Sequence, residues 1–181
     1  QAPNILFAMF FGPAAAGFFF MASRILCAPM SVVGNAIGQS FFAESAEAKR
    51  NGTLDKMAKK TVVKLFFIII GPVMIIAIFG SEIFVYILGE SWREAGVMAQ
   101  WLSPMIVTQF ITSPVGQLLA VKEKQLVGMV LQGVLTTLRI LSIVIGYLYF
   151  DVVIATAIYS LSSVVGYILF LYFSLTSKIL K

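Results

Sequence analysis

Residues 12–44 read GPAAAGFFFMASRILCAPMSVVGNAIGQSFFAE. The stretch is long enough to cross a bilayer as a helix, which takes about 20 apolar residues. It nevertheless carries Arg24, Asn35 and Gln39 at depth, with Pro29 among them. Wound at about 100° per residue, Arg24, Ser31, Asn35 and Gln39 fall on one side. Phe18, Ile25, Val32 and Val33 fall largely elsewhere. A helix facing lipid all round would not hold such a stripe, because an ion at the bilayer centre costs at least about 2.5 kcal/mol. The polar side must turn toward other helices or a wet cavity.

Composition agrees with a membrane setting. Of 181 residues, 60% are hydrophobic and only 12% charged, against about 25% charged in a soluble domain. Mean hydropathy is +0.97. The net charge of +5 does not point to nucleic acid, because the charges sit between apolar runs and no basic groove with stacking aromatics is present. Cys27 is the lone cysteine and histidine is absent. That excludes an intrachain disulfide, histidine-based zinc sites and histidine acid–base chemistry. No metal or cofactor is expected. The chain opens at Gln1 inside an apolar run without a signal-peptide pattern. It reads as a fragment, the C-terminal part of a larger membrane protein, forming a single transmembrane domain over 1–181.

Working outward, Asn4–Phe11 is too short to span and reads as the end of a truncated helix, broken at Gly12-Pro13. The first full span covers about 14–43. Residues 44–61 form a basic cytoplasmic connector, partly helical and at the membrane surface, with Asn51-Gly52 as its turn signal; it reads as a solvated connector, and its cations also suit contact with anionic membrane lipids. The second span covers about 62–88, with a kink expected at Gly71-Pro72. A short loop follows, with Trp92 at interfacial height. The third span, about 97–121, is oddly polar, with Ser103-Pro104, Gln109, Thr112-Ser113-Pro114 and Gln117. Such breaks are tolerated where helices or water satisfy the freed carbonyls. After the Lys122-Glu123-Lys124 turn, the fourth span (about 125–149) aligns Gln125, Gly128, Gln132, Thr136, Arg139 and Gly146 on one face. The fifth covers about 152–174, with Ser162 and Gly166 as a small-residue packing pair. The expected fold is an all-α polytopic bundle of about five full spans plus the truncated N-terminal helix.

Charge orients the bundle. The first connector, the Lys122 turn and the C-terminal tail hold ten of the 13 Lys and Arg residues. The alternate loops hold Arg93 among Glu82, Glu90, Glu94 and Asp151. The positive-inside rule puts the basic loops and the C-terminus in the cytoplasm.

At these residues the chain resembles a known family. The run GPAAAGFFFMASRILCAPMSVVGNAIGQSFF looks like the first full helix of the C-terminal half of polysaccharide and O-antigen flippases, within the multidrug/oligosaccharidyl-lipid/polysaccharide exporter superfamily. LGESWREAGVMAQWLSPMIVTQFITSPVGQLLAVKEKQ resembles their next signature, LG-x-x-W followed by a helix carrying SP twice and a basic turn. LRILSIVIG in the fourth span fits as well. The resemblance implies a two-lobed transporter of about a dozen helices, this chain being most of the C-terminal lobe and the N-terminal half its partner. It implies flipping of undecaprenyl-diphosphate-linked oligosaccharide across the bacterial inner membrane by alternating access, for polysaccharide, O-antigen or capsule export.

The residues themselves nominate the substrate contacts. Arg24 and Arg139 suit anionic phosphates that must pass a low-dielectric core, since their fork geometry matches phosphate oxygens. The plainer alternative is snorkelling or carbonyl capping. Asn35, Gln39, Gln109, Gln117 and Gln132 can hydrogen-bond sugar hydroxyls, or bond across helices at about 0.6 kcal/mol each. Pro29, Pro72, Pro104 and Pro114 are hinges or static kinks. No carboxylate lies deep in a span, which disfavours the alternative of a multidrug/cation antiporter. The outer loops are too short for the catalytic domain of a membrane glycan polymerase or ligase, so no enzyme is expected. A purely structural subunit would not need two polar stripes.

Overall fold

The computed structural model describes residues 2–122 and 124–176. Glu123, Lys178, Lys181 and the side chain of Gln117, all used above, lie outside them. Every regular element described is helical: α1 (Ala2–Phe11), α2 (Pro13–Arg50), α3 (Leu54–Leu88), α4 (Arg93–Thr112), α5 (Leu118–Val121), α6 (Gln125–Tyr149) and α7 (Val152–Thr176), with single 3-10 turns at Glu90–Trp92 and Val115–Gln117. The chain is a polytopic all-α bundle, a multi-pass membrane protein.

Helix ends follow local chemistry. Gly12 takes φ 89° and Pro13 starts α2, since proline's missing N–H is unbonded in a first turn anyway. Gly52 (φ 66°) turns the chain after Asn51, and Gly89 (φ 95°) ends α3. Both angles disfavour a side chain. Asp151 Oδ1 accepts the Ile154 N–H at 2.8 Å and caps α7.

Four helices are long and apolar enough to cross a membrane: α2, α3, α6 and α7. The expected third span is different. It is divided into α4, a 3-10 turn and α5, and by composition α4 does not match the other four. It still traverses the bundle, because it joins the Leu88 end of α3 to the Gln125 end of α6. The division falls at Pro114, which has no N–H for the Phe110 carbonyl. Ser113 satisfies that carbonyl instead, through its N–H at 3.3 Å and its Oγ at 3.0 Å. Ser103, Thr108 and Thr112 also donate to carbonyls of their own helix, so much of the polarity of α4 is spent on its own backbone.

α4 is the hub, packing on α3, α7 and α2. Met98, Ala99, Leu102, Met105 and Ile106 are buried in the main core. The kink in α3 corrects the expectation at Gly71-Pro72. The helix runs on through Pro72, and its non-helical residue is Phe79 (φ −112°, ψ 15°). The cause lies next door. At Gly80 the α3 backbone meets that of α4 at Gly96, where an added Cβ would sit 2.6 Å from the Gly80 carbonyl oxygen. The Ile78 carbonyl beside the break accepts Gln100 Nε2 at 3.0 Å. α6 and α7 use the same device, since a Cβ on Gly146 would sit 2.5 Å from that of Ala155. On α7 the buried small face runs through Thr156, Ser160, Ser163 and Gly166. Ser162, half of the expected packing pair, is only partly buried.

At the basic end, residues 44–61 form no separate loop. They extend α2 and α3 around the turn at 51–53. Lys122, read from sequence as part of a surface turn, is buried. Its Nζ donates to Asp55 Oδ1 at 2.7 Å and to the Ser174 carbonyl at 3.0 Å. Lys49 Nζ donates to the Val121 carbonyl at 2.8 Å. These bonds tie α2, α3, the end of α5 and α7 together.

Candidate functional site: a polar track across the bundle

The buried side of α2 carries Phe19, Ala22, Leu26, Gly34, Gly38, Phe41, Ser45 and Ala48. Arg24, Ser31, Asn35 and Gln39 lie on the other side and are exposed. The stripe therefore faces away from the chain's own helices along much of its length. Its middle meets α4. Gly34 makes this possible, since a Cβ there would lie 3.3 Å from Ser113 Oγ and 3.5 Å from the Phe110 ring.

Three cavities follow one another from this contact. The first, about 220 Å³, lies between α2 and α4 and includes Ser31, Asn35, Gln109 and Ser113. A second of about 330 Å³ runs along α2 toward α1. It shares Cys27 and Ser31 with the first and is bordered by Arg24 and Asn4. A third of about 170 Å³ shares Gln109 and Ser113 with the first and reaches Gln132 on α6 and Tyr167 on α7. No acidic side chain lines any of the three.

Arg139 borders none of the three cavities and stands behind Tyr167, which lines the third. Its Nε donates to Ser163 Oγ at 3.0 Å, and its guanidinium carbon lies 4.7 Å from the centre of the Tyr167 ring. Its Nη2 is buried without a hydrogen-bond partner. An always-protonated donor left in that state is unusual in a folded interior. Arg24 is held more loosely, exposed, with its guanidinium 5.7 Å from the Phe20 ring centre. Arg24 lies about 16 Å from the start of α2 and Arg139 about 15 Å from the end of α6, at about 1.5 Å per residue. Each is therefore set well inside its helix and not at a helix end.

The structure thus brings Asn35 to Gln109, and Gln109 to Gln132. Arg24 borders one end of the track, whereas Arg139 lies outside it behind Tyr167, so the two do not share one space as expected. Gln39 lies on the α2 stripe but borders none of these three cavities. Among the described residues, Asn35, Gln39, Gln109 and Gln132 make no hydrogen bond to another helix, so their amides remain available. Sequence reasoning missed Ser113 and Tyr167 as lining groups. Ser113 sits one turn beyond Gln109, and that spacing was its signal; Tyr167 gave none. No cluster of three or more Cys, Asp or Glu side chains able to hold an ion occurs among the described residues.

No curated protein and no solved structure matches the chain. The profile described as "Polysaccharide biosynthesis protein" matches residues 1–97. The match takes in α1, α2 and α3, hence the whole Arg24 to Gln39 stripe. With more than half of its length matched, the chain belongs to the polysaccharide biosynthesis protein family, as a membrane protein of transporter type.

Proposed function

We propose that the chain forms one lobe of a flippase that moves a lipid-linked, undecaprenyl-diphosphate-type oligosaccharide across the bacterial inner membrane by alternating access. The observation that carries this reading is the track itself: three cavities joined by shared walls, lined by uncommitted amides, with the Arg24 guanidinium at one end and that of Arg139 behind Tyr167. Phosphates need the cations, sugar hydroxyls need the amides, and a carrier needs both inside a bundle of hydrocarbon length. The exposed stripe on α2 faces the N-terminal half of the transporter, so that the two lobes close a central passage. The basic end and the C-terminus lie in the cytoplasm under the positive-inside rule. No chemical step on the glycan is assigned to the chain. A cation antiporter of the same superfamily is disfavoured by the absence of carboxylates along the track. If transport is ion-coupled, the coupling carboxylates lie in the other lobe.

The test uses the full-length transporter in cells lacking their own copy. Arg24→Ala and Asn35→Leu should abolish or strongly reduce surface glycan while the protein stays inserted at normal levels. Full export by Arg24→Ala and by Arg139→Ala would remove the phosphate-contact reading.

A further inference from the structure

A second cleft lies between α2 and α3. Its larger compartment, about 470 Å³, sits toward the basic end of the bundle and holds Ser40 and Glu44 from α2 with Lys60, Thr61 and Lys64 from α3. That volume is in the range of about 300–1,000 Å³ typical of ligand sites. One turn further along both helices, Val33 follows Ile37 and Ile68 follows Lys64. There a second compartment of about 230 Å³ is walled by Pro29, Val33, Ile68, Pro72 and Ile76, without a charged side chain. Val33 and Ile68 keep 41% and 43% of their surface exposed, so this compartment opens on the side of the bundle.

The two compartments have the two halves of an amphiphile. Lys60 and Lys64 stand one turn apart on α3, and with Lys56 they form a run of like charges at four-residue spacing, which weakens a helix unless an anion offsets it. Among the described residues neither Lys60 nor Lys64 forms an ion pair. Glu44 offsets one of the two charges. The Ser40 and Thr61 hydroxyls donate to carbonyls of their own helices, so recognition falls to the two ammonium groups. Compact ammonium groups bind phosphate as point charges. From Lys64 to Pro72 is about 12 Å along the axis at about 1.5 Å per residue, a depth that only a hydrocarbon chain would follow. We infer that the α2–α3 cleft is a binding site for an anionic phospholipid, its phosphate between Lys60 and Lys64 and an acyl chain against Val33, Ile68 and Pro72. The lysine compartment shares no wall with the transport track, whereas the apolar compartment backs onto its first cavity through Met30 and Phe110.

The experiment takes the intact protein from nanodiscs of equal phosphatidylglycerol and phosphatidylcholine and reads retained lipid by native mass spectrometry. The wild type should retain phosphatidylglycerol in preference. Lys60→Gln with Lys64→Gln should abolish that preference. Ile68→Trp, which fills the apolar compartment without touching charge, should displace the same lipid. Lys56→Gln with Lys59→Gln removes equal charge outside the cleft and should leave retention unchanged. Equal loss from that control pair would reduce the effect to diffuse surface charge and overturn the site. Unchanged retention in the Lys60/Lys64 variant would overturn it as well. So would an added polyprenyl diphosphate that takes the place of phosphatidylglycerol and is itself released by the Lys60/Lys64 substitutions.

Discussion

Gly80 and Gly96 cross backbone on backbone. A Cβ on Gly96 would lie 2.6 Å from both the Gly80 carbonyl oxygen and the Ser81 Cα, and one on Gly80 would lie 2.9 Å from the Gly96 carbonyl oxygen. Neither contact is with a flexible side chain, so the helices themselves would have to part. Gly96→Ala should therefore destabilise the bundle by about 1–3 kcal/mol, as overpacking does, in thermal unfolding of the detergent-solubilised protein. Gly133→Ala on α6, where nothing lies within 4 Å of an added Cβ, should cost nothing. Equal stability of the two variants would dismiss the crossing as a structural constraint.

The Asp55–Lys122 pair makes a different prediction, because its members are unequally placed. The Lys122 side chain is 2% exposed and that of Asp55 58%. Asp55→Ala removes one partner of the buried Lys122 ammonium, which still donates to the Ser174 carbonyl, and solvent screening keeps the loss to about 1 kcal/mol. Lys122→Met in that background should recover part of it, since an apolar chain carries no charge into the buried site. A double-mutant cycle with no coupling would show that the pair does not hold the basic end together.

Arg24 and Arg139 should separate in their effects. Arg139 bridges α6 to α7 through Ser163 and Tyr167, whereas Arg24 is exposed and touches its own helix. Arg139→Ala should lower stability by about 1 kcal/mol as well as export. Arg24→Ala should lower export alone. Thermal unfolding set beside glycan export reads the split, and a stability loss in Arg24→Ala would contradict its placement.

The outer turn offers a pH test. Arg93 Nε donates to Glu90 Oε1 at 2.6 Å, and this bond holds the Glu90 carboxyl below its ordinary pKa. A lowered folded-state pKa contributes stability above the unfolded value and loses it as pH falls through the folded one. Both groups are exposed, so the effect is small. In Arg93→Gln the Glu90 titration followed by NMR should move upward. An unmoved titration would mean the bond is not populated in solution.

The helix breaks at Gly12-Pro13, Asn51-Gly52 and Gly89 were legible in the sequence because they impose backbone geometries that few residues accept, whereas the run of α2 and α3 through residues 44–61 and the division of the third span were not. The polar stripe on α2 was legible because 3.6-residue periodicity survives in a helix whose other faces are apolar. Facing partners were not legible. When most surfaces are apolar, periodicity no longer says which side meets protein and which meets lipid. Hence the expected kink at Pro72 gave way to one at Phe79, dictated by Gly96 on another helix. Lys122 likewise read as a surface charge because its carboxylate partner lies 67 residues away. The candidate amides were visible individually, but their succession from Asn35 through Gln109 to Gln132 needed the helices in place.

The placement of α4 bears on biogenesis. The helix at the hub of the bundle is the one whose composition least favours entry into hydrocarbon. A translocon that released segments singly would strand it at the interface. α3, the most apolar of the spans, precedes it and binds it across the Gly80–Gly96 crossing, so the two are expected to leave the translocon as a hairpin. Loss of that crossing would then appear first as a topology defect during synthesis, before any loss of transport by the finished protein.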